Sequence, residues 1–101
     1  MPNRYISRDG EILADRFTDE PYIFQNVHTL GGAARHTAAH TALLRAAAKS
    51  LFGFDPEITA DELRRRIARL TEACRMPSRV SVRAVVRLYP TGSIEIACDE
   101  P

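Results

Sequence analysis

The chain predicts an α+β fold, an antiparallel β-sheet with two helices packed on one face. Three observations carry this. Stretches of period-2 alternation stand near both ends of the chain, turn-forming dipeptides join them, and two segments with helical spacing sit together in the middle. Strands grouped with strands and helices with helices give an antiparallel sheet, whereas regular βα alternation would give a parallel one. At 101 residues the sequence has room for one domain, residues 1–101, with a real core but not for two.

The elements follow in order. Arg4 to Ala14 predicts a β-hairpin, with Tyr5-Ile6 and Ile12-Leu13 flanking Asp9-Gly10, a dipeptide suited to a positive-φ two-residue turn. Asp19-Glu20-Pro21 stops any helix, and Tyr22 to Leu30 predicts a strand. Gly31-Gly32 signals a turn, after which Ala33-Ala34-Arg35 returns as a short partner strand. The first helix is expected from Thr37 as N-cap, with His40, Leu43, Leu44, Ala47, Ala48 and Leu51 on the buried face and Thr41, Arg45 and Lys49 outside. Gly53 ends it by accepting the left-handed conformation.

A second helix opens on Thr59-Ala60-Asp61-Glu62, a capping box, and buries Leu63, Ile67, Leu70 and Cys74 before Met76-Pro77 closes it. Val80, Val82, Ala84, Val86 and Leu88 then alternate with Ser81, Arg83, Val85, Arg87 and Tyr89, a strand with two unlike faces. Pro90-Thr91-Gly92-Ser93 turns the chain back into Ile94, Ile96 and Cys98.

Composition narrows the function classes. The chain is 45% hydrophobic and 27% charged, too apolar for a disordered segment. No apolar run reaches the roughly 20 residues a membrane-spanning helix needs, and Met1 to Asp19 has no secretory apolar stretch, so a cytoplasmic location and no membrane partner are expected. A formal net charge of +1 gives no electrostatic reason to bind nucleic acid. Arg64, Arg65, Arg66 and Arg69 form a basic run, but Asp61, Glu62 and Glu72 lie beside it and no aromatic platform accompanies it; a solvated helix face is expected. Cys74 and Cys98 make neither a disulfide framework nor a metal site. They read as small apolar residues of a reducing compartment, with a bridge between them as the other reading.

Four residues are candidates for a ligand or cofactor. Arg83 and Arg87 share one face of the long strand, where paired guanidinium N–H donors suit a carboxylate or phosphate. The competing expectation is that they form salt bridges to Glu95 or Asp99 across the hairpin. His40 lies on the apolar stripe, where a histidine ordinarily keeps a single hydrogen bond and serves the packing. Arg45 is the fourth. His36 and His40 are four apart but lack the interior Glu of a metalloprotease helix and a third ligand, so no metal is expected. Lys49, the sole lysine, falls on the polar helix face beside Arg45, in no environment that would make it a nucleophile, so no catalytic residue is expected in this chain.

From Tyr22 to Ile96, about three quarters of the chain, the sequence resembles the N-terminal domain of class IV pyridoxal-phosphate-dependent aminotransferases, which include branched-chain and D-amino-acid aminotransferases and aminodeoxychorismate lyase. The resemblance rests on Tyr22-Ile23-Phe24 with Val27, the Gly31-Gly32 turn, and a helix running His40, Leu43-Leu44-Arg45, Ala46-Ala47 and Leu51-Phe52-Gly53. It continues through the second helix and the strand Val82 to Arg87. It implies a scaffold domain that is not catalytic alone. The Schiff-base lysine and pyridoxal phosphate would belong to a longer parent, and the partner would be a missing C-terminal catalytic domain or a homo-oligomer. It implies a positioning role for His40 and an arginine in the Arg83 strand. The family commonly places a phosphate-binding arginine three residues after the helix histidine; here that position is Leu43. Arg45, two positions on, points about 200° away around the helix. The alternative function is a free-standing, non-enzymatic binding or self-association module of the same fold, with exposed Phe52, Phe54 and the strand edge after Leu88 covered by a second copy.

Overall fold

The computed structural model describes residues 5–14, 20–30, 33–74 and 82–99. Six strands, β1 (Tyr5–Arg8), β2 (Glu11–Ala14), β3 (Ile23–Leu30), β4 (Ala33–Ala34), β5 (Val82–Leu88) and β6 (Ile94–Asp99), form one sheet in the order β2-β1-β6-β5-β3-β4. Every neighbouring pair is antiparallel. Two helices, α1 (Thr37–Leu51) and α2 (Ala60–Ala73), connect β4 to β5. This is the expected α+β architecture. The expected turn at Gly31-Gly32, the helix stop at Met76-Pro77 and Val80-Ser81 lie outside the described residues, as does Arg4.

Turn chemistry sets both hairpins. Asp9 (φ 51°) and Gly10 (φ 91°) take the two positive-φ positions between β1 and β2. Asp9 also latches the hairpin to β6: its N–H donates to the Ile94 carbonyl (3.0 Å) and its Oδ1 accepts from the Ile94 N–H (2.9 Å). Between β5 and β6, the Gly92 N–H donates to the Tyr89 carbonyl and the Tyr89 N–H to the Ser93 carbonyl.

The core lies between the helices and one face of the sheet. On that face β5 presents Val82, Ala84, Val86 and Leu88, β3 presents Val27, and β6 presents Ile94 and Ile96. From the helices Leu44, Ala48, Leu63, Ile67 and Leu70 meet them, with Ile58 from the connecting loop. Thr59 caps α2 as expected, its hydroxyl accepting from the Glu62 N–H (3.1 Å). The Glu62 carboxylate does not reach back to complete the box; it accepts from Arg66 (2.9 Å) one turn on.

Two expectations for α1 are corrected. Thr37 is not the N-cap but the first helical residue. His36, in the left-handed conformation (φ 57°), caps the helix without a side-chain bond. Thr37 is buried and its hydroxyl accepts from Arg64 of α2 (3.2 Å), so it ties the two helices together. The buried line is Thr37, Thr41, Leu44 and Ala48, whereas Leu43 and Leu51 are 57% and 67% exposed. Thr41 can be inside because its hydroxyl donates to the Thr37 carbonyl (2.6 Å), satisfying its polar group within the helix. Phe52 and Phe54 are not exposed either. They stack with ring centroids 6.0 Å apart and pack against the core.

Candidate functional site

The sheet face turned away from the helices carries the charged and aromatic side chains. Register fixes their order. Arg8 stands opposite Glu95, Glu95 opposite Arg87, and Arg87 opposite Phe24, so one row runs across four strands as cation, anion, cation and aromatic ring. A second row sets Arg83 beside His28. Alternation along β5 keeps Arg83 and Arg87 on this face, as the period-2 pattern requires.

Glu95 is the centre of the first row. It is 1% exposed, Arg8 Nη1 lies 3.2 Å from its Oε1, and the Tyr89 hydroxyl donates to its Oε2 at 3.0 Å. A carboxylate this deep is tolerable because both oxygens are hydrogen-bonded and a cation faces it. Burial and the adjacent Glu95 carboxylate push the Tyr89 hydroxyl above its ordinary pKa, with Arg87 opposing them. Tyr89 in turn packs edge-on to Tyr22 (5.7 Å between centroids), and Tyr22 edge-on to exposed Phe24 (6.2 Å).

Arg87 sits inside this aromatic corner, with its guanidinium carbon 5.4 Å from the Tyr22 ring centroid in a cation–π contact. Its Nε is buried and has no hydrogen-bond partner among the described residues. A buried donor left without an acceptor carries a desolvation cost that a hydrogen bond would relieve. Arg83, four residues back on the same strand and face, is half-buried, and its backbone is in register with Asp99 of β6.

The two α1 candidates lie elsewhere. His40 Nδ1 is 3.1 Å from Gln25 Oε1 on β3, a bond between the helix layer and the sheet. Partial burial, then the neighbouring His36 and His28, lower its pKa below the ordinary histidine value. Arg45 makes a two-pronged pair with Asp55, Nε to Oδ1 and Nη2 to Oδ2, both 2.8 Å. The pair holds the Asp55 carboxyl down at about 2, helped by the Glu57 backbone N–H. The structure thus brings Arg83 and Arg87 onto one surface but leaves His40 and Arg45 on the helical side. Lys49 is exposed on α1. Arg64, Arg65 and Arg66 of the basic run pair with Asp61 or Glu62 at 2.8 to 3.7 Å.

Pattern reading missed Arg8 and Tyr22 as members of the site. Arg8 meets Glu95 across 87 positions of sequence, and only the β1–β6 pairing reveals the contact. Tyr22 carried a usable signal. It precedes Ile23, and in the β3–β5 ladder that ends at Ile23↔Leu88 the next pair would set it against Tyr89.

This fold, a six-stranded antiparallel sheet with a helix pair on one face, is shared with solved aminotransferases. A protein of Thermotoga maritima assigned as a branched-chain amino acid aminotransferase superposes with a TM-score of 0.70 at 15% identity, over 96% of this chain and 38% of that one. An aminotransferase of Brucella abortus bound to pyridoxal phosphate superposes with a TM-score of 0.61 at 11% identity, over 98% of this chain and 42% of that one. The chain therefore spans less than half the length of either. No family model matches the sequence, and no curated protein matches it significantly. Among the described residues no helix is long and apolar enough to cross a membrane.

Proposed function

We propose that this chain is the N-terminal scaffold domain of a class IV-type, pyridoxal-phosphate-dependent aminotransferase or lyase, and that it performs no chemistry without the remainder of that enzyme. The observation that carries this reading is the superposition of nearly the whole chain on a minor part of two aminotransferases. The motif order from Tyr22 through the His40 helix to the arginine strand supports it independently. In this reading a C-terminal domain supplies the Schiff-base lysine, since Lys49 is exposed on α1.

The α1 residues do not fit the cofactor's phosphate in the family's manner. Leu43 offers no donor, and the Arg45 guanidinium is already committed to Asp55 through two hydrogen bonds. No step through the cofactor is assigned to them. What the domain contributes is the outward sheet face, where Arg87 with Tyr22, and Arg83 beside them, hold the carboxylate of an amino-acid or 2-oxo-acid substrate. His40 serves by fixing α1 on β3.

Titration with a 2-oxo acid, followed by backbone amide shifts, tests this. The largest changes should fall on Tyr22 to Phe24 and Arg83 to Tyr89, and Arg87→Met should remove them. Shifts concentrated around α1, or unchanged in the Arg87 variant, would refute the assignment of the sheet face.

A further inference from the structure

The Cys74 thiol, at the C-terminal cap of α2, donates to the Tyr5 carbonyl at 3.6 Å. In the two-residue hairpin Asp9-Gly10, the flanking pair Arg8 and Glu11 exchange hydrogen bonds, so the alternation along β1 turns the N–H and C=O of Ser7 and Tyr5 the other way, toward β6. The β1–β6 register runs Arg8↔Glu95, Ser7↔Ile96 and ends at Ile6↔Ala97, so Tyr5 and Cys98 are the residues one step beyond it on the two strands. Cys74 therefore bonds a carbonyl that points at the strand carrying Cys98, beside Cys98 itself.

The faces agree. Cys98 stands opposite Ala84, a core residue on the helix-facing side of β5, so its side chain shares that side. Helix α2 packs over both β1 and β6. Neither cysteine is in a disulfide, and both are half-buried and packed against the one core cluster.

We propose that Cys74 and Cys98 are a built redox pair, able to form an intramolecular disulfide that staples the C-terminal end of α2 to β6. With a low-molecular-weight disulfide as oxidant, the step balances. One cysteine thiolate attacks a sulfur of the oxidant, forming a mixed disulfide and releasing one small thiol. The second cysteine then displaces the other small thiol and gives up its proton. The protein loses two hydrogens and two electrons, and the oxidant becomes two thiols. The bond closes a loop of about 25 residues, long enough to restrict the unfolded chain substantially.

The test uses the folded chain and oxidised glutathione. Both thiols should disappear from a thiol titration, the mass should fall by about 2 Da, and a digest should yield one peptide linking Cys74 to Cys98. The reaction should run roughly tenfold or more faster in native buffer than in denaturant, because folding holds the partners together. The melting temperature should rise by about 10 °C on oxidation and return with reductant. Cys74→Ser and Cys98→Ser should each show no rise and carry a single glutathione. Two glutathiones on the unaltered protein, two thiols left titratable, linkage only between chains, or equal rates in denaturant would each overturn the proposal.

Discussion

Replacing Glu95 with alanine removes the anion that the outward sheet face is built around. The bonds from Tyr89 and Arg8 set the magnitude. The Tyr89 hydroxyl, on a residue only 2% exposed, loses its acceptor where water cannot replace it, at a cost of about 1–3 kcal/mol. Arg8 loses its counter-ion but keeps contact with solvent, adding up to about 1 kcal/mol. The sum, about 1–4 kcal/mol, is a large share of the stability of a domain this size. Urea unfolding at pH 7 reads it as a shift in midpoint at constant slope. Tyr89→Phe alone should cost about 1 kcal/mol, and the double variant should cost less than the two singles combined, by roughly 1 kcal/mol. A Glu95→Ala protein within about 0.5 kcal/mol of the parent, or strict additivity with Tyr89→Phe, would refute the buried network.

Further outcomes follow from the same geometry. Leu44→Ala should cost about 2–4 kcal/mol and Leu43→Ala under about 0.5 kcal/mol in the same assay, because Leu44 lies in the core and Leu43 in solvent. Thr59→Ala should cost about 1 kcal/mol by removing the α2 cap. Asp55 is held down at about 2 in the folded chain, chiefly by Arg45, so its stabilising contribution is present above the unfolded value near 3.8 and is lost as pH falls through about 2. Asp55→Asn should flatten thermal stability across that acid window and leave pH 7 to 9 unchanged in slope. Tyr89 runs the other way. Its raised pKa gives stability that is full below its ordinary value of 10.0 and disappears as pH rises through the folded value, so Tyr89→Phe should resist alkaline unfolding better in relative terms.

Much of this fold is legible in the sequence because several signals coincide locally. Asp9-Gly10 and Pro90 to Ser93 declare their turns, Thr59 declares a helix start, and Val82 to Leu88 alternates without a break. The phase of α1 is less legible because alanine fills both its flanks, so the hydrophobic contrast around the helix is weak. The deciding residue, Thr41, is polar by type but satisfied by the turn before it. Strand order is not legible at all from local pattern, since β1 pairs with β6 across nearly the whole chain. The candidate site divides along the same line. Arg83 and Arg87 announce a shared face by spacing, while Arg8, Glu95 and Tyr22 join it only through the sheet's register.

Covalent trapping with borohydride in the presence of pyridoxal phosphate, followed by peptide mapping, tests the scaffold reading most directly. It should be run on the product of the gene read through beyond Pro101 and on the 101-residue chain alone. The account predicts saturable labelling of one lysine beyond Pro101 in the longer protein and no saturable labelling of Lys49 in either. Stoichiometric, saturable labelling of Lys49 in the chain by itself, or a reading frame that stops at Pro101, would contradict it.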